Sequence, residues 1–174
     1  MLDIKTIKQD KGSVECGLAT LSMLYSYYEE DKTLDDLRKE LPTVQFGTFS
    51  PQLGINLLHD GFEVEIITRN PLLVERKDKD LSSETLLSKL EEKLAQYKTK
   101  DDNYTGVDYF IKFMKAGGKV KVKIPDIEDL REELNSNRPV IAFLSNSSLY
   151  KENIAKKLNQ PFNYTFHIVL VVGA

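Results

Sequence analysis

Apolar residues recur at steps of three and four over residues 16–30, where Leu18, Leu21, Tyr25 and Tyr28 predict one face of a helix. Thr33 followed by Asp36 has the spacing of a capping box. It opens a short helix carrying Leu34, Leu37 and Leu41, with Pro42 after its end. Ser50-Pro51 predicts a capping hydroxyl ahead of a proline in the first helical position, and Leu53, Leu57 and Leu58 follow before a stop at Gly61. Residues 62–68, with Val64 and Ile66, alternate as a strand does, and the charged stretch 69–81 reads as a loop. Leu86, Leu87, Leu90 and Leu94 predict an amphipathic helix over 83–97. A further helix carries Val107, Phe110, Ile111 and Met114 and is closed by Gly117-Gly118.

Residues 120–124 are a strand candidate. Ile127, Leu130 and Leu134 mark a helix behind Pro125-Asp126, and 139–144 and 166–172 are the two most apolar strand candidates. Helices crowd the early chain and strands the late chain, which predicts an α+β fold with helices packed on an antiparallel sheet. The length of 174 residues suits one domain with a proper core, and no internal repeat or domain boundary is visible.

Composition narrows the function classes. Hydrophobic residues make up 41% and charged residues 29%, a globular balance, and the net charge is −3. The only basic run, Lys119-Val120-Lys121-Val122-Lys123, alternates like the wet face of a strand, so no nucleic-acid partner is expected. Lys156-Lys157 reads as a solvated face. The apolar run 168–172 is too short to cross a bilayer, so no membrane segment is expected. No signal-peptide pattern opens the chain, which makes a cytoplasmic location the expectation. With a single cysteine, two histidines, no His-Glu-x-x-His spacing and no glycine-rich phosphate loop, neither a metal nor a cofactor is expected.

That scarcity focuses attention on Cys16 and His167. A free cysteine is most often a small buried apolar residue. Cys16, however, stands beside Gly17 at a helix start, where unpaired backbone N–H groups and the positive end of the helix dipole favour a thiolate. His167 opens the apolar strand His-Ile-Val-Leu-Val-Val-Gly, which would hold its ring rigidly at a cleft; a core or edge histidine is the plainer alternative. His59 falls at a predicted helix C-terminus and reads as structural. A cysteine opening an early helix and a histidine opening a late strand is the chain order of a papain-like site, and about 150 residues separate the two here.

The segment Gln9-Asp10-Lys11-Gly12-Ser13-Val14-Glu15-Cys16-Gly17-Leu18-Ala19 resembles the active-site segment of the bacteriocin-processing, double-glycine leader peptidases and their stand-alone relatives. The step from a helix into Arg138-Pro139-Val140-Ile141, and the strand from His167 to Gly173, are similar to later parts of that family. The resemblance implies a papain-like cysteine peptidase fold with Cys16 as nucleophile, His167 as general base and Gln9 as oxyanion donor. It also implies a peptide or protein substrate, without fixing which one; the oligomeric state is left open. Against compact members of the family, residues from about 69 to 120 look like a helical insertion. The family's orienting aspartate would fall beyond Ala174, so this stretch is expected to be a piece of a longer chain, weak or inactive by itself, since losing such a carboxylate from a triad costs about 10⁴ in turnover. A catalytically idle relative that binds an extended peptide is the alternative, and an α+β domain of unrelated function is a third.

Overall fold

The computed structural model describes residues 1–30, 32–41, 47–70, 73–145 and 166–173. Pro42 and Lys156-Lys157 lie outside them. Helices and short strands mix in the order α1 (Cys16–Tyr27), α2 (Leu34–Glu40), α3 (Ser50–His59), β1 (Glu65–Thr68), α4 (Ser83–Ala95), α5 (Asp102–Lys115), β2 (Lys119–Val122), α6 (Ile127–Asn135), β3 (Val140–Ser145) and β4 (Phe166–Val171). The content is consistent with an α+β fold. Among the described residues the strands form two pairs, β3–β4 antiparallel and β1–β2 parallel, so the expected antiparallel arrangement holds there for the late pair and not for the early one. The chain divides into two compact units, residues 1–47 with 128–174, and residues 48–127.

In the first unit α1 is the central element. Leu18, Leu21 and Tyr25 are buried on the predicted face, whereas Tyr28 is the exposed C-cap beyond the helix end; Leu24, Gly17, Ala19, Thr20 and Ser22 are buried as well. Four small residues let neighbouring chain approach closely, and β4 packs against this helix. The capping box of α2 forms as its sequence predicts, Asp36 N–H donating to Thr33 Oγ1 and Thr33 N–H to Asp36 Oδ2. The end of α6 closes on Asn137 at φ 57°, with Asn137 N–H donating to the Leu134 carbonyl and Arg138 N–H to that of Glu133. That closure turns the chain directly into β3.

In the second unit α4 and α5 pack together over β1–β2 around Leu86, Leu90, Val107, Phe110, Ile111 and Val122. Gly117 and Gly118 end α5 through two backbone bonds, Gly118 N–H to Phe113 O and Gly117 N–H to Met114 O, with Gly117 at φ +96°. Lys119 and Lys121 are exposed while Val122 is buried, as the alternation predicts. Two expectations are corrected. Ser50 does not cap α3 but is its first residue; Phe49 is the N-cap, and its N–H is taken by the Gln52 side-chain oxygen. The stretch 69–81 is more than a charged loop. Leu73 and Val74 enter the core, and a 3₁₀ turn at Arg76–Asp80 buries Asp78. The apolar run in this stretch, Leu72-Leu73-Val74, is only three residues long, too short to register as periodic.

Candidate functional site

The chain leading to Cys16 is built by local turn chemistry. Ser13 N–H donates to the Asp10 carbonyl at 3.0 Å, and Gly12 sits at φ +83°, the value a type II turn requires at its third position. The side chain of Gln9 spans the same turn, Nε2 donating to the Ser13 carbonyl at 3.1 Å. Its Oε1 is buried and has no hydrogen-bond partner among the described residues. Gly47, at φ +108°, lies against this loop so closely that a Cβ there would come within 3.0 Å of the Val14 carbonyl.

Glu15 is the N-cap of α1, yet makes no side-chain bond to the helix end. Its carboxylate turns instead to Arg38 of α2, which donates from Nε to Oε1 at 2.9 Å and from an Nη to Oε2 at 2.8 Å. Arg38 also donates to Asp10 at 2.9 Å and Asp35 at 2.7 Å. Hydrogen bonding to Arg38 holds the Glu15 carboxyl below the ordinary carboxylate range, and the same bonds push the guanidinium further up. No acidic residue lies in the first turn of α1, so the only carboxylate at this helix end is that of the N-cap Glu15, paired with Arg38.

Cys16, Ala19, Thr20 and Met23 stand at i, i+3, i+4 and i+7, one stripe of α1 distinct from the leucine face. This stripe forms one wall of a groove of about 530 Å³. The second wall is β4, beginning at His167, and the third is the N-terminal segment with Ile4, Ile7, Lys8 and Gln9. Helix and strand are pinned where Thr20 Oγ1 donates to the Ile168 carbonyl at 3.4 Å, one turn after Cys16 and one residue after His167. The N-terminal segment is tied to the far end of the strand by Leu2 N–H donating to Val172 O at 2.7 Å. Cys16 and His167 are both partly buried, and His167 faces Leu144 in the β3–β4 register.

Three residues singled out from the sequence, Cys16, His167 and Gln9, therefore line one groove. His59, read as structural from the sequence, is exposed at the end of α3 in the other unit. Sequence reading missed Thr20, Glu15 and Arg38. Small polar residues carry no periodic signal, although Thr20 at i+4 from Cys16 was legible as a neighbour on the same helical face. No group of three or more metal-ligating side chains occurs among the described residues. None of the described helices is long and apolar enough to cross a membrane.

Cys16 at the head of α1 and His167 near the start of β4 line the same groove. The model of the Peptidase_C39 like family matches residues 1–174, and the chain belongs to that family. No curated protein and no solved structure matches it.

Proposed function

We propose that the protein is a cysteine-dependent hydrolase of peptide or amide bonds with a papain-like architecture, in which residues from about 69 to 120 are a helical insertion. Cys16 attacks the carbonyl as a thiolate, His167 takes the thiol proton and returns it to the leaving amine, and water then hydrolyses the thioester. Gln9 donates from Nε2 to the oxyanion; that nitrogen carries two N–H bonds and Ser13 occupies one. The backbone N–H groups that open α1, uncapped by the Glu15 side chain, add to that stabilisation.

The observation that supports this reading is the groove that Cys16, His167 and Gln9 all line, in a chain of a peptidase family. Its aliphatic walls, with Ile4, Ile7 and Met23, suit an extended peptide with apolar side chains, and its volume falls in the usual range for ligand sites.

Chloroacetamide labelling at pH 6 tests it, because an ordinary thiol of pKa about 8.5 is almost wholly protonated there. The only cysteine of the chain makes the modified residue unambiguous. Labelling well above the rate of a free thiol, slowed by His167→Ala, is the expected result. Labelling at the free-thiol rate in both proteins removes the hydrolase and leaves an idle peptide-binding domain.

A further inference from the structure

We propose that Arg38 is a positioning residue for Cys16: by gripping Asp10 and Glu15 it holds the whole Gln9–Cys16 segment and cancels the negative charge beside the thiol. The inference rests on the hydrolase reading and adds a component that the Cys–His–Gln set does not contain.

The geometry separates this contact from an ordinary surface ion pair. Arg38 meets Glu15 through two parallel N–H···O bonds, a planar fork that only a guanidinium can present. The Glu15 side chain is 17% exposed and that of Arg38 33%, so this arm is less open to water than Asp10 and Asp35, which are 81% and 77% exposed. The Glu15 arm therefore carries the effect, and the Asp10 arm closes the clamp at the start of the turn. Between its two anchor points lie Lys11, Gly12, Ser13 and Val14, flanked by Gln9 and Cys16.

Position and charge act in the same direction. The turn fixes Gln9 to Ser13, and the clamp fixes that turn to α2, which is a rigid helix with its own capping box. Without Arg38, Glu15 keeps its place next to Cys16 but loses its cation, and a bare carboxylate at a helix N-terminus beside a thiol opposes the thiolate. The other ionisable side chains of this region are His167 and Lys8, both lining the groove, and Lys11 in the turn. None of them is among the bonded partners of Glu15.

The test compares chloroacetamide labelling of Cys16 in the parent, Arg38→Gln, Arg38→Lys and the double variant Glu15→Gln/Arg38→Gln, with thermal unfolding and amide exchange of residues 9–16 on each. A small misplacement of reacting groups can cost up to about 100-fold, so a drop of about tenfold is expected for Arg38→Gln. Arg38→Lys, which keeps the charge and loses the fork, falls about threefold. The double variant regains part of the rate because the uncompensated carboxylate is gone, an outcome that a merely structural pair would not give. Amide exchange over 9–16 speeds up in Arg38→Gln and to a smaller degree in Arg38→Lys. A parent that labels fast, with Arg38→Gln equally fast, overturns the clamp and leaves the hydrolase standing. A parent that labels no faster than a free thiol overturns both. Should Arg38→Gln fail to fold, Arg38→Lys decides alone: a rate equal to the parent's overturns the proposal.

Discussion

Thr20 and Ile168 are 148 residues apart in sequence, and the hydroxyl of the first donates to the carbonyl of the second at 3.4 Å. The bond is long for a hydroxyl donor, so its energy is at the low end of the usual range. Its consequence is register, since it fixes α1, one turn after Cys16, against the first residues of β4. Thr20 is 1% exposed, which leaves no room for extra atoms. Thr20→Val, nearly the same shape, is expected to cost about 0.5–1 kcal/mol and to lower Cys16 labelling only a few-fold. Thr20→Leu overpacks the contact at about 1–3 kcal/mol and drives labelling toward the rate of His167→Ala. Denaturant titration and labelling rates on the two variants check the order; equal labelling in both would detach this contact from the site.

Gln9 is expected to separate two kinds of reaction at the same sulfur. Attack on a carbonyl builds an oxyanion, and losing one donor to it typically costs about 100- to 1,000-fold in turnover. Displacement of chloride from chloroacetamide builds none. Gln9→Ala should therefore cut turnover of any peptide that the parent cleaves by about that factor, with little change in KM. Chloroacetamide labelling of the same variant should stay within about threefold of the parent, because thiolate attack needs no oxyanion donor. Equal losses in both assays would mean that Gln9 acts only by holding the Ser13 carbonyl and shaping the turn.

Much of this arrangement was legible in the sequence. The helix from Cys16, the capping box at Thr33 and Asp36, and the glycine closure of α5 follow from local rules in which a few adjacent residues decide the backbone. The convergence of Cys16, His167 and Gln9 on one groove came from chain order and family resemblance, because periodicity holds no information about which distant elements meet. Three features were hidden for identifiable reasons. The parallel pairing of β1 with β2 depends on the crossover through α4 and α5, and four-residue strands announce no partner. The wall made by Ile4 and Ile7 lies in an irregular segment with no helical or strand period. The Arg38 clamp joins residues 23 and 28 positions apart, each of which looks in isolation like any solvated charge.

Asp78 gives the second unit an acid-sensitive point. Its side chain is 3% exposed and meets Lys89 Nζ at 2.6 Å, while one oxygen also accepts from Glu75 N–H. Burial pushes its carboxyl up, but the Lys89 bonds, the Glu75 N–H and the lysine charge together outweigh burial and leave it below the ordinary range. A carboxyl with a lowered folded value adds stability that is complete above its unfolded value of about 3.9 and is lost as pH falls through the folded one. Lys89→Met leaves that carboxylate buried without its cation. Breaking a fully buried pair costs about 3–5 kcal/mol, and the 29% exposure of the Lys89 side chain reduces the expected loss to about 1–3 kcal/mol at pH 7. The deficit should shrink below about pH 4, where protonation removes the charge that Lys89 offsets. Urea titrations of parent and variant at pH 7 and pH 3 measure it; a deficit that is the same at both would show that packing of the lysine stem, not its charge, is what matters.

Phe113 is fully buried between two glycines of the second unit, and neither tolerates a methyl group. A Cβ on Gly118 would come within 2.3 Å of the ring, and one on Gly54 within 2.7 Å. Gly54 lies inside α3, where alanine would gain about 1 kcal/mol in helix propensity if space allowed. Overpacking costs about 1–3 kcal/mol, so Gly54→Ala is expected to destabilise on balance despite that gain. Phe113→Leu by itself leaves a cavity and also destabilises. When Gly54→Ala and Phe113→Leu are combined, the added methyl enters space that the ring vacates, and the double variant should lose less than the sum of the two single losses. Contacting residues couple by about 0.5–3 kcal/mol in such cycles. Denaturant unfolding of the four proteins gives the coupling directly, and strict additivity would show that the ring does not rest against Gly54.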